Sequence, residues 1–336
     1  MKRLVARALL AAVLILQGLL TEGGDSKEKA RTSERNALER QRQDSTPLRC
    51  IAFSPYVAGY DPTRRAHPPR KLIDQLLAEL TRQNDFRCIM TYDAVQGIKS
   101  VFPAARAKGL KVISIIWLGQ DERENGRQIA AGIRAGRDYP DTIIRFSCGS
   151  EVRTRHGKSL DSAIASCMKQ LGDSVLQPVG IVDSWWEVCD RSWPCQRSAL
   201  FINAEWIGAN VYPWWENKFS GLFPCTKAEK AADFQIERLG NVMDVYPGKE
   251  VILTEFGWPA GPKGYAEKCG KASEPNQSRV VKDTLNRLDA LGLPGVVFEA
   301  FREDWKLNSE GGVGPFWGIC KGGSPYHCKT VYRRDR

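Results

Sequence analysis

The residues best equipped for chemistry stand in Thr254-Glu255-Phe256-Gly257-Trp258-Pro259, directly after the apolar run Val251-Ile252-Leu253. Burial at the end of a β-branched strand penalises the ionised form of a carboxylate, so Glu255 is an expensive choice for structure alone. The Gly-Trp-Pro turn that follows aims it out of the sheet beside an indole. That is the setting of a catalytic acid or nucleophile. A second carboxylate, Glu151, follows another strand-like run, Ile143-Ile144-Arg145-Phe146-Ser147-Cys148-Gly149-Ser150. The competing readings are ordinary ion pairs: Glu255 as a strand-end partner, Glu151 with Arg153 or Arg155.

Such groups need elements to hold them. Short β-rich apolar runs begin near Ile51, Cys88, Val112, Ile143, Val179, Ile207, Val251 and Val296. Amphipathic stretches lie between them, among them Lys71 to Arg82, Asn125 to Arg137, Leu160 to Leu176, Lys227 to Val245 and Gln277 to Leu291. The alternation predicts an α/β fold, a (β/α)8 TIM barrel forming a single catalytic domain over residues 48–336. A doubly wound sheet is the alternative, but no G-x-G-x-x-G loop follows the first strand. The unit between strands five and six is weak in helix, and none is expected after strand eight. At about 35 residues per βα unit, the spacing from Glu151 to Glu255 is three units, which places them on strands four and seven of one barrel mouth.

The chain has 336 residues, 42% apolar and 26% charged, enough to bury a real core. Its net charge of +10 is scattered among acidic residues, with no basic helix interleaved with aromatics, so no nucleic-acid partner is expected. Met1-Lys2-Arg3 followed by the apolar run Ala8 to Leu20 reads as a signal peptide within residues 1–24, with an uncleaved membrane anchor as the alternative. Residues 25–47 are a charged linker without an apolar stripe. Ten cysteines fit a secreted or cell-envelope protein. Cys189 with Cys195 and Cys320 with Cys328 are expected to close loops, and Cys225 can pair with Cys269. Cys50, Cys88 and Cys148, in or beside strands, are read as buried thiols. A metal site has little support, since no C-x2-C pair occurs.

Several segments together resemble glycoside hydrolase family 17, the β-1,3-glucanase family, in its microbial type. Thr254-Glu255-Phe256-Gly257-Trp258 is similar to its nucleophile motif, and Gly149-Ser150-Glu151-Val152 to the segment carrying its general acid. Ile51-Ala52-Phe53-Ser54-Pro55-Tyr56 and Thr91-Tyr92 resemble the first two strands, and Trp117-Leu118-Gly119 with Asn125 resembles the third. Tyr212-Pro213-Trp214-Trp215-Glu216 resembles the segment after strand six. Phe298-Glu299-Ala300-Phe301 with Glu303 and Lys306 is similar to strand eight, and Gly314-Pro315-Phe316-Trp317-Gly318 to the closing segment. Two positions depart from the pattern. Ser150 stands where the family carries Asn before the acid, and Arg302 replaces an Asp near strand eight.

The resemblance implies a retaining mechanism, which needs two carboxyl groups about 5–5.5 Å apart, one protonated and one ionised. Glu151 would be acid and then base, and Glu255 the nucleophile. Glu303 and Lys306 would support the pair, though they also fit an ordinary i, i+3 contact. Tyr92 and Tyr212 would donate to the nucleophile or to a sugar hydroxyl, with Ser150 beside them. Trp117, Trp214, Trp215 and Trp258 would offer flat faces to pyranose rings. No cofactor is implied, because two carboxylates suffice. The expected partner is a β-glucan poly- or oligosaccharide, met by a monomer. Hydrolysis, transglycosylation and glucan binding without turnover all remain open.

Overall fold

The computed structural model describes residues 47–333 apart from Gln96, residues 220–223, and residues 308 and 309. The expected targeting segment and charged linker lie outside the described residues. Eight parallel strands close into a barrel: β1 (Arg49–Ala52), β2 (Cys88–Thr91), β3 (Lys111–Ile116), β4 (Ile143–Ser150), β5 (Val179–Ser184), β6 (Trp206–Asn210), β7 (Glu250–Phe256) and β10 (Gly295–Val297). A two-stranded hairpin, β8 (Ala266–Glu267) and β9 (Gly270–Lys271), sits in the connection between β7 and β10. Each expected strand is present within two residues of its predicted start.

Alternation along the strands sorts side chains into two layers. Cys50, Ala52, Cys88, Met90, Ile113, Ile115, Val182, Trp206, Ile252 and Val296 fill the barrel interior. Their neighbours, such as Ile51, Ile89, Val112 and Ile181, face the surrounding helices. Five long helices match the amphipathic stretches, from Arg70–Gln83 to Glu274–Ala290. Among the helices that escaped the sequence reading, Val101–Ala107 packs Val101, Phe102, Ala104 and Ala105 inward, and Pro103 is tolerated in its first turn. Between β5 and β6 only two four-residue helices form.

Gly180 admits Trp206 to the interior, since a Cβ there would collide with the carbonyl and ring of Trp206. The indole then donates to the Phe146 carbonyl at 3.0 Å, satisfying its one polar atom.

All ten cysteines form disulfides. The two loop-closing pairs and Cys225–Cys269 are as expected. The buried-thiol reading is corrected. Strand register sets Cys50 opposite Cys88 on β1 and β2, and they are bonded. Cys148 of β4 is bonded to Cys167 on the covering helix Asp161–Gly172.

Candidate active site

Glu255 is the penultimate residue of β7 and is 5% exposed at the C-terminal end of the barrel. Its Oε2 accepts the Tyr212 hydroxyl at 2.8 Å and its Oε1 the Tyr92 hydroxyl at 3.0 Å. The Ser150 hydroxyl lies 3.4 Å from Oε1, a long contact. Tyr212 follows β6 and Tyr92 follows β2, so three different strand ends converge on one carboxyl group. Both oxygens are aimed by donors, one from beside β7 at the end of β6 and one from the end of β2, three strands round the barrel.

Glu151 comes directly after β4, half-buried, in the left-handed region with φ 54° and ψ 34°. A non-glycine residue held there is strained, and such strain persists only where the surroundings enforce it. Gly149, at φ 86°, permits the approach, because a Cβ there would collide with Val152. Asn210 at the end of β6 donates to Glu151 Oε1 at 3.0 Å. Thr254 donates to the other side of that carboxamide at 2.8 Å, which fixes its nitrogen towards Glu151. Arg153 is committed elsewhere, and Arg155 acts on Glu151 through its charge while donating to backbone carbonyls. Arg153 binds Asp161 at 2.8 Å, and Arg155 donates to the carbonyls of Leu118 and Ser150 at 3.2 Å each.

Burial pushes Glu255 up to about 8, helped by the charge of Glu151, while Tyr212, Tyr92 and Lys306 draw it back. Burial raises Glu151 as well, with Asn210 and Arg155 opposing. Both carboxyl groups are thus raised by burial, and Glu255 also by the charge of Glu151. The donor pattern says which form each prefers. Two tyrosine hydroxyls and the Lys306 charge favour ionised Glu255, whereas one carboxamide is compatible with either form of Glu151.

Behind the pair lies a buried charged group. Lys306 contacts Glu299 at 2.8 Å and Glu303 at 2.7 Å, and the Ser54 hydroxyl donates to Glu303. All three charged residues are at most 8% exposed, so Glu303 and Lys306 form more than a surface i, i+3 pair. Arg302 turns away to Asp304 and the Phe316 ring.

The tryptophans divide. Trp117 is 38% exposed at the end of β3, with the Arg155 guanidinium 4.1 Å from its ring centre. Trp215 is half-buried beside Trp317. Trp214 and Trp258, expected to face a sugar, are fully buried and pack edge to face 5.3 Å apart. Trp258 donates to the Lys271 carbonyl at 2.8 Å, and this pair is core rather than platform.

Sequence reasoning passed over Asn210 and Asp183, both buried. Each is a polar residue closing or nearly closing an apolar strand, a signal as clear as that of Glu255. Burial pushes Asp183 up to about 7, with the Thr154 hydroxyl drawing it back and the Glu151 charge adding to the rise.

Residues 50–318 match the BtgE/BtgC glycoside hydrolase domain. A Saccharomyces cerevisiae protein named Glucan 1,3-beta-glucosidase is 25% identical over 66% of this chain and 72% of its own length. "Probable family 17 glucosidase SCW4" of the same yeast is 23% identical over 81% of this chain, which spans 65% of that relative. The glycoside hydrolase family 17 beta-1,3-glucanosyltransferase of Rhizomucor miehei superposes with a TM-score of 0.68 at 19% identity, over 85% of this chain and 97% of that one. An active-site mutant of that enzyme in complex with laminaritriose gives a TM-score of 0.67. With the family model covering residues 50–318, the chain belongs to the BtgE/BtgC glycoside hydrolases of family 17.

Proposed function

We propose that this protein cleaves β-1,3-linked glucan with retention of configuration, through a covalent glycosyl-enzyme. The observation that carries the reading is Glu255, buried on β7 and gripped by the hydroxyls of Tyr92 and Tyr212, with Glu151 charge-coupled to it from β4. In the first step protonated Glu151 gives its proton to the leaving glycosidic oxygen as Glu255 attacks the anomeric carbon. In the second, Glu151 takes a proton from the incoming hydroxyl and Glu255 departs. Tyr92 and Tyr212 stabilise the carboxylate of Glu255 when it is free and orient it for attack. Trp117, exposed at the end of β3, is the indole assigned to support a sugar ring. The substrate class rests on the relatives named above, which are glucan 1,3-beta-glucosidase and beta-1,3-glucanosyltransferase proteins.

When a sugar hydroxyl replaces water in the second step, the product is a longer chain. The Rhizomucor miehei glucanosyltransferase, which aligns over nearly its whole length, makes this a reading to test alongside hydrolysis. Five disulfides fit export to an oxidising compartment. No helix among the described residues is long and apolar enough to cross a membrane, and the apolar run of residues 8–20 lies outside them.

The test is incubation of the purified protein with soluble β-1,3-glucan, followed by chromatography and proton NMR of the first products. Early β-anomer or elongated oligosaccharides, lost in Glu255→Gln, support the reading. Saturable glucan binding without products makes the chain a binding protein and overturns it. A first-formed α-anomer overturns the retaining mechanism.

A further inference from the structure

Glu151 stands in a backbone conformation that a side chain resists, so something must hold it there. Its own backbone N–H donates to the Val182 carbonyl of β5 at 3.0 Å. The next residue of that strand, Asp183, has no exposed surface. Its Oδ2 accepts the backbone N–H of Arg153 at 2.8 Å. Its Oδ1 accepts the backbone N–H of Thr154 at 3.2 Å, the Thr154 hydroxyl at 2.7 Å and the Ser184 N–H at 2.9 Å. Both oxygens are therefore occupied by donors from the turn immediately after Glu151. These are the N–H groups that the start of the short helix Val152–His156 leaves without intrahelical partners.

We propose that Asp183 is a positioning residue for Glu151, holding from β5 the strained turn that presents the acid and base of the reaction. The inference rests on the role given to Glu151 above. Other contacts fix the far side of the same turn: Arg153 reaches Asp161 and, at 2.7 Å, Ser198, and Arg155 reaches the Ser150 carbonyl. None of them can replace Asp183, because none accepts the first N–H groups of the helix. A carboxylate is required on chemical grounds. An asparagine of the same shape turns an NH2 group towards at least one N–H or O–H donor, and the turn loses its anchor on that side.

The test compares two substrates in wild type, Asp183→Asn and Glu151→Gln. Laminarin has a poor leaving group that needs a proton from Glu151, whereas 2,4-dinitrophenyl β-laminaribioside expels its phenolate without one. For Asp183→Asn, kcat/KM on laminarin should fall on the order of 100-fold, the scale of general acid catalysis. On the aryl substrate kcat/KM should stay within about threefold, because glycosylation there needs no acid. Azide, which attacks the glycosyl-enzyme without a general base, should raise turnover of the variant on the aryl substrate and yield glycosyl azide. An equal loss on both substrates marks a merely structural role and overturns the proposal. If Glu151→Gln itself loses both activities equally, the assignment of Glu151 fails, and the inference falls with it. Thr154→Val, which removes one donor from the same carboxylate and keeps the side-chain shape, must show the same substrate selectivity at smaller size. It decides the matter if Asp183→Asn does not fold, and an unselective or absent effect there overturns the proposal.

Discussion

The carboxamide of Asn210, at the end of β6, donates at 3.0 Å to Glu151, which follows β4, so the contact passes over the end of β5 between them. Thr254 of β7 pins the other end of that carboxamide at 2.8 Å. One amide thus ties Glu151 to the strand that carries Glu255. The Ser150 hydroxyl adds only a long contact to Glu255, at 3.4 Å.

Asn210→Ala removes a donor that favours ionised Glu151. The Glu151 pKa rises further, and the base step, which needs the carboxylate, slows. We expect kcat to fall about 10- to 100-fold, within the range set by general acid–base catalysis. The acid limb of kcat against pH should also move upwards. Steady-state kinetics across pH check both.

Tyr212→Phe and Tyr92→Phe each remove one hydroxyl from Glu255. Hydrogen bonds to a charged group contribute about 1.5–3 kcal/mol, so each change should lower kcat/KM roughly 10- to 100-fold. Tyr212 makes the shorter bond, 2.8 against 3.0 Å, and its loss should be the more costly. In both variants the nucleophile is harder to ionise, and the acid limb of kcat/KM rises.

Activity should be bell-shaped in pH. At low pH both carboxyl groups are protonated and Glu255 cannot attack. As pH rises the pair loses one proton and becomes active, and the alkaline limb marks loss of the second. With Glu255 pushed up to about 8 by burial and by Glu151, the acid limb, which marks ionisation of the nucleophile, should lie well above the ordinary glutamate range. Glu151→Gln deletes the neighbouring charge, so the pKa of Glu255 should fall. Carbon-13 NMR of labelled glutamate reads that fall directly, and an unchanged value would break the coupling argument.

Lys306→Met should be among the most destabilising single changes in the barrel. It leaves Glu299 and Glu303, 2% and 1% exposed, as two adjacent carboxyl groups without their cation. Removing one partner of a buried pair costs about 3–5 kcal/mol. Urea denaturation measures the loss, which should shrink in Glu299→Gln/Lys306→Met, where one carboxylate is neutral.

Much was legible because strands announce themselves. Glu151 and Glu255 could be located without coordinates because each follows a strand-like run, and strand ends in a parallel barrel share one face. Trp214 and Trp258 were misread for a related reason: an indole is equally suited to a sugar face and to a core, and its sequence neighbours do not distinguish them. Asn210 and Asp183 went unremarked because their partners lie 59 and 30 residues away.

The chain by itself determined the barrel, the positions of its strands and which carboxylates reach its mouth, since these follow from local periodicity and the constant length of a βα unit. Tertiary structure alone decided how those carboxylates are held. The pairing of Cys50 with Cys88 depends on the register of two strands. The grip of Tyr92 and Tyr212 on Glu255 depends on closure, which brings the ends of β2, β6 and β7 around one carboxyl group. The left-handed turn at Glu151 depends on an aspartate contributed by the next strand. Periodicity records which face a residue occupies; only the closed barrel says what stands across from it.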